Sequence, residues 1–161
     1  MLHQFSVTFS TLGAELKKYL SPKLYAAVFR HGLNLWPCIR GGGGRVTLIS
    51  EDFTKLVVRL KLNWRSLNLV GTIYGGNMYA STDPMFMLME ILGPAFVVWD
   101  KGCTIRFKKP AKGTIHADFE ITPAMLADVR DNVAKNHEYT FTWKIEFKDS
   151  KGLVYSELPR Q

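Results

Sequence analysis

The sequence predicts an α+β fold: a largely antiparallel sheet of about six strands wrapped around one central helix, with two extra helices at the N-terminus. Three observations carry this expectation. Apolar residues before Gly41 recur at helical spacing, whereas after Gly44 they alternate in steps of two. Each alternating segment has one apolar and one polar face, as strands do when one side meets a core and the other meets water. Among them stands a single stretch, Gly76 to Leu92, that is apolar on nearly all sides and long enough for a helix.

The helices come first. In "LGAELKKYLSPKLYAAVFRHGLNLW", Leu12, Leu16 and Leu20 are followed by Leu24, Val28 and Leu35, with a break at Ser21 and Pro22. Serine at a cap and proline in the first turn start a helix, so two short amphipathic helices are expected. Residues 1–40 then form a helical extension to a domain spanning 45–161. Gly41 to Gly44 reads as a flexible linker between the two parts. A phosphate loop would need a lysine and a hydroxyl directly after its glycines, and here Arg45 opens a strand pattern instead.

The strands follow. Leu56, Val58, Leu60 and Leu62 alternate with polar neighbours, as do Cys103, Ile105 and Phe107, then Ile115, Ala117, Phe119 and Ile121. Tyr139, Phe141, Trp143, Ile145 and Phe147 give the clearest alternation, while "RVTLIS" and "GLVYSEL" supply the two outer strands. "KKPAKG" is a tight connection between strands, and Thr122 caps a short helix with Pro123 in its first turn and an apolar face of Leu126, Val129 and Val133.

Composition narrows the class. The chain has 161 residues, 47% hydrophobic and 22% charged, as a single globular domain with its own core requires. The longest apolar run is broken by Glu90, Gly93 and Pro94, so no bilayer span is expected. No secretory leader is legible, and Cys38 and Cys103 have no CxxC spacing; a cytoplasmic protein with small buried thiols is the expectation. His3, His31, His116 and His137 are scattered, so no metal site is expected.

The net charge of +7 calls for an anionic partner. Lys101, Arg106, Lys108, Lys109 and Lys112 concentrate on one strand and its turn, either as a solvated face or as a binding patch. No stacking motif or basic helix supports nucleic acid as that partner.

The stretch "GTIYGGNMYASTDPMFMLMEILG" carries the chemistry. Asp83 before Pro84 reads as the cap of a helix starting at the proline. That reading leaves "YGGNMYAST" unexplained, since paired glycines cost stability unless the backbone needs their freedom. If the helix starts at Gly76, Pro84 interrupts it near Asp83. The amides of Gly75, Gly76 and Asn77 then stand open at the helix mouth, with Asp83 seven residues after Gly76 on nearly the same face.

At this point "NLVGTIYGGNMYASTDP" resembles the active-site segment of hotdog-fold acyl-CoA thioesterases of the phenylacetyl-CoA thioesterase type. Asn68, Gly71, Gly75, Gly76 and Asp83 match that pattern by position, and "CTIRFKKPAKGTIHADFEI" resembles the strand, proline turn and strand that follow the central helix. The resemblance covers Arg45 to Glu157 and is closest to an uncharacterised bacterial branch of the superfamily whose domain has no assigned function. It departs at Tyr74, where the family carries histidine.

The resemblance implies a hotdog fold and hydrolysis of an acyl-CoA or acyl-carrier thioester, with coenzyme A as part of the substrate and no separate cofactor. It implies Asp83 as base or nucleophile, the Gly76 amide on the oxyanion and Asn68 positioning thioester or water. Tyr74, Gly75 and Asn77 line the acyl pocket or its mouth; Asp100 falls near the family's water-orienting position. Lys108 and Lys109, with Lys112, would attract the phosphates. A homodimer or dimer of dimers is implied, with Asp83 facing a partner chain.

The alternative is a non-catalytic acyl- or lipid-binding module, with Met78, Met85, Met87, Met89, Phe86 and Phe96 around an apolar slot. A hotdog dehydratase is disfavoured because no histidine lies in the central stretch or at its mouth.

Overall fold

The computed structural model describes residues 15–89, 98 and 100–161. Leu12, the end of the central stretch at 90–92 and Phe96 lie outside them. Residues 15–19 are helical, and Ser21 caps helix α1 (Pro22–Leu35) by accepting from the Leu24 amide. A short helix α2 (Pro37–Gly41) leads into strand β1 (Gly44–Ile49). β2 (Lys55–Lys61), α3 (Gly75–Ala80), α4 (Met85–Leu88), β3 (Arg106–Phe107), β4 (Thr114–Glu120), α5 (Pro123–Asn136), β5 (Trp143–Lys148) and β6 (Val154–Arg160) follow. Among the described residues no helix is long and apolar enough to cross a membrane.

The six strands form one antiparallel sheet in the order β1-β2-β4-β5-β6-β3. The period-two faces meet as expected: Leu56 pairs with Phe119, Val58 with Ala117 and Leu60 with Ile115, all on the buried side. Ile145, Phe147 and Leu158 continue that surface, and Met78, Met85 and Met89 pack onto it from the helical side. A bulge between Val46 and Leu48 shifts the register of β1, and Leu48 is exposed.

Several details depart from the expectation. "GLVYSEL" is not an outer strand, because β6 lies between β5 and the two-residue β3, which forms the edge. The alternation at Tyr139 and Phe141 does not extend the ladder: β5 begins at Trp143, on whose ring Phe141 stacks at 3.9 Å.

Gly41 to Gly44 is no flexible linker. Gly41 ends α2, Gly43 turns the chain at φ 74°, and Gly44 begins β1 so close to Ser81 that a Cβ on it would lie 2.8 Å from the Ser81 Cβ. Leu33 and Ile39 from the helical segment sit in the same core as the strands. Finally, Cys38 is exposed rather than buried.

The central stretch is two short helices, not one running from Gly76 to Leu92. α3 ends where the Ser81 and Thr82 hydroxyls donate back to the Met78 carbonyl, at 3.2 and 3.1 Å. Pro84 has no amide with which to continue the ladder, so residues 81–84 form turns before α4. Phe86 then sets its ring edge-on against Phe119 and Trp143, anchoring α4 across the sheet.

Candidate active site

The mouth of α3 is held by main-chain bonds to the strand ends. The Ile73 amide donates to the Ala111 carbonyl at 2.8 Å and the Tyr74 amide to the Ser66 carbonyl at 2.7 Å. Ser66 is fully buried, and its hydroxyl donates to the Lys61 carbonyl at 2.7 Å, which ties the loop to the end of β2. The glycine pair therefore sits at a set height beside the turn that joins β3 to β4.

Two rings lie close against these glycines. A Cβ on Gly75 would lie 2.5 Å from the Phe107 ring, and one on Gly76 would lie 2.4 Å from the Tyr74 ring. Both rings are more than half exposed, so larger residues at 75 or 76 would push them aside. Among the described residues neither the Gly75 nor the Gly76 amide has an acceptor. The Asn77 amide, expected to be open as well, donates instead to the Tyr74 carbonyl at 3.0 Å, and its side chain donates to the Arg65 carbonyl.

Gly75 and Gly76 line a cleft of about 860 Å³. Asn68, Tyr74, Lys108, Lys109 and Lys112 line it as well, with Ile73, Met78 and Ile105 among its apolar lining. Asn68 mainly organises its own loop: its Oδ1 accepts from the Val70 and Thr72 amides at 3.1 and 2.9 Å, and its Nδ2 donates to the Thr72 hydroxyl at 2.8 Å. One Nδ2 hydrogen remains uncommitted. Lys108 is engaged by Glu157 at 3.1 Å, whereas Lys109 and Lys112 have no carboxylate partner among the described residues. Glu157, bonded by Lys108 and Lys144, is held below the usual carboxylate range.

Asp83 and Asp100 do not line this cleft. The spacing puts Asp83 on nearly the same helix face as Gly76, but the helix breaks before it and its side chain is 48% exposed on the turn. Asp100 does not pair with Lys101, whose ammonium donates to the Thr140 hydroxyl. Both carboxylates instead meet the guanidinium of Arg160, a residue the sequence reading passed over.

Arg160 is 3% exposed; its Nη1 donates to Asp83 Oδ1 at 3.3 Å and to Asp100 Oδ2, and its Nη2 to the Thr82 hydroxyl at 2.8 Å and the Tyr79 carbonyl at 3.0 Å. The guanidinium also lies 4.7 Å from the centre of the Tyr79 ring. Burial, with Asp83 next, raises the Tyr79 hydroxyl above its ordinary range, and burial likewise raises the Cys103 thiol nearby. A signal existed in the sequence: Ser156, Leu158 and Arg160 share the inward face of β6 by period two, and a charge at such a position must be paired. The strand read as "GLVYSEL" stops two residues short of it.

Of the methionines proposed for an apolar slot, Met85 and Met89 are buried in the core, Met78 touches both core and cleft, and Met87 is exposed.

Solved structures of the same fold are thioesterase-like hotdog proteins. A Pseudomonas aeruginosa protein of unknown function, described as a "probable thioesterase", superposes with a TM-score of 0.74 at 17% identity over 83% of this chain and 91% of its own. Mouse thioesterase superfamily member 2 gives 0.58 at 12% identity over 84% and 93%. The Escherichia coli PaaI protein from the phenylacetic acid degradation operon gives 0.54 at 17% identity over 86% and 95%. Identities this low carry the fold alone, and the fold is the expected hotdog. A search of curated proteins returns no match. Residues 26–159 match the model of the family described as "domain of unknown function (DUF4442)", and the chain belongs to that family.

Proposed function

We propose that this protein hydrolyses a thioester of an acyl group on coenzyme A or an acyl carrier. The observation that carries the reading is the pair of adjacent glycines, Gly75 and Gly76, whose amides have no acceptor among the described residues and which line a cleft together with apolar residues and lysines. Amides so held are suited to the charge that develops on a thioester oxygen during attack. The thioesterase-like relatives of the same fold support the reaction class.

In this reading Asp83 is the general base. It takes a proton from water as the hydroxyl adds to the thioester carbon; the oxyanion accepts from the glycine amides, and its collapse expels the thiolate, which is then protonated. Attack by the carboxylate itself, through an anhydride that water opens, uses the same residue. Because Asp83 is exposed and outside its own chain's cleft, the site is completed between two subunits of a homodimer. The exposed two-residue edge β3, with Phe107 more than half exposed beside the cleft, suits such pairing.

Asp83→Asn should abolish hydrolysis across a panel of acyl-CoA chain lengths while leaving the oligomer and its melting temperature intact. Full activity in this variant, or no turnover of any thioester by the native protein, overturns the mechanism. In the latter case a retained acyl ligand seen by native mass spectrometry would favour a binding module, for which Met78 in the cleft wall is the supporting observation.

A further inference from the structure

Arg160 joins two carboxylates that lie 77 and 60 residues away in sequence, and it treats them unequally. Asp100 is 23% exposed, whereas Asp83, 3.3 Å from the guanidinium, is 48% exposed. A guanidinium this deeply buried needs a counter-charge, and the more buried Asp100 supplies it. Asp83 is the solvent-facing member of the two. The other bonds of Arg160, to the Thr82 hydroxyl and the Tyr79 carbonyl, grip the turn on which Asp83 stands.

We propose that Arg160 is a positioning residue for Asp83 and that Asp100 is the counter-ion that keeps Arg160 from sequestering it. This rests on the reading of Asp83 as the base. Were Arg160 paired with Asp83 alone, a fork-like ion pair would fasten the carboxylate and weaken it as a base. Sharing leaves Asp83 oriented yet available. Asp100 is then a charge partner to Arg160 rather than a substrate contact.

Among the described residues, the charged and titratable groups around Asp83 are Tyr79 from α3, Arg160 from β6, and Asp100 and Cys103 from the segment before β3. Cys103 gives a readout independent of turnover. Its thiol is raised first by burial; Asp100 and Asp83 push it further up, and Arg160 pulls it down.

The test compares native protein with Asp100→Asn and Arg160→Met, each in a Cys38→Ser background that removes the exposed thiol. Removing an anion favours ionisation of neighbouring acids and removing a cation opposes it. The acid limb of the kcat/KM profile for an acyl-CoA should therefore move to lower pH in Asp100→Asn and to higher pH in Arg160→Met. kcat should fall about 100-fold in Arg160→Met, as loss of alignment at a reacting group does, with KM little changed. The pH at which Cys103 is alkylated by iodoacetamide should move in the same two opposite directions.

Limbs that stay in place, or that move the same way in both variants, overturn the proposal. If the native protein turns over no thioester, the functional reading fails by itself, and Cys103 alkylation still decides the charge arrangement: opposite shifts uphold it and their absence overturns it. Should Arg160→Met not fold, the double variant with Asp100→Asn removes the whole pair and is compared with Asp100→Asn alone, where loss of the cation should again move both readouts to higher pH.

Discussion

Phe53 takes up the left-handed backbone region, φ 58°, that a bulky residue enters at a cost of about 1 kcal/mol. Its ring offsets this by packing against Tyr25 and Phe29, each with centroids 5.4 Å away, which joins the β1–β2 turn to helix α1. The turn is held by Asp52, whose carboxylate accepts from the Ser50 hydroxyl at 2.6 Å and from the Thr54 hydroxyl and amide at 2.7 and 3.1 Å. These bonds lower Asp52 to about 2 from 3.8, Ser50 contributing most. A carboxylate depressed on folding stabilises above its unfolded value and loses that contribution as pH falls through the folded one. Asp52→Asn should therefore melt below the native protein above about pH 4, and the two melting curves should converge as pH falls toward 2. A gap that persists at pH 2 would assign the effect to something other than the charge. None of this was legible in "SEDFTK", because which hydroxyls reach a carboxylate depends on the turn's actual dihedrals. Arg160 was legible in principle, by its parity with Leu158, although its partners were not.

Among the elements, the junction of α1 and β1 shows how an exposed sheet edge is closed. The Asn34 side chain donates to the Val46 carbonyl and accepts from the Val46 amide, both at 2.8 Å, imitating a neighbouring strand; Arg30 donates to the Thr47 carbonyl beside it. Asn34→Ala would leave the donor and acceptor of fully buried Val46 unpaired, so stability should drop by about 1–3 kcal/mol, read as a lower urea midpoint with an unchanged m-value. An unchanged midpoint would mean that water replaces both bonds. The caps at Ser21 and Thr122 and the strand faces were readable because each depends on residues within a turn or two. The split of the central stretch was readable only as a break at Pro84. That it would leave two short helices also depended on the Ser81 and Thr82 hydroxyls turning back to the Met78 carbonyl, a competition the sequence does not rank.

For the whole molecule, two of the cations behind the charge of +7, Lys109 and Lys112, have no carboxylate partner among the described residues and line the cleft, while Lys108 pairs with Glu157. The double variant Lys109→Ala/Lys112→Ala should raise KM for an acyl-CoA and flatten its dependence on salt, with kcat unchanged. KM for an N-acylcysteamine thioester, which lacks the phosphates, should stay put; a rise for both substrates would place the lysines on the acyl group instead. The sequence alone determined the α+β class, the buried faces of β2 and β4, the caps at Ser21 and Thr122 and the start of a helix at the glycine pair, since periodicity and local hydrogen bonding act within a few residues. Only the tertiary structure decided that β3 rather than β6 is the edge, that Asp83 is exposed, and that Arg160 binds it together with Asp100. Those outcomes depend on strand order and on contacts across 60 and 77 residues, where position in the chain no longer measures distance in space.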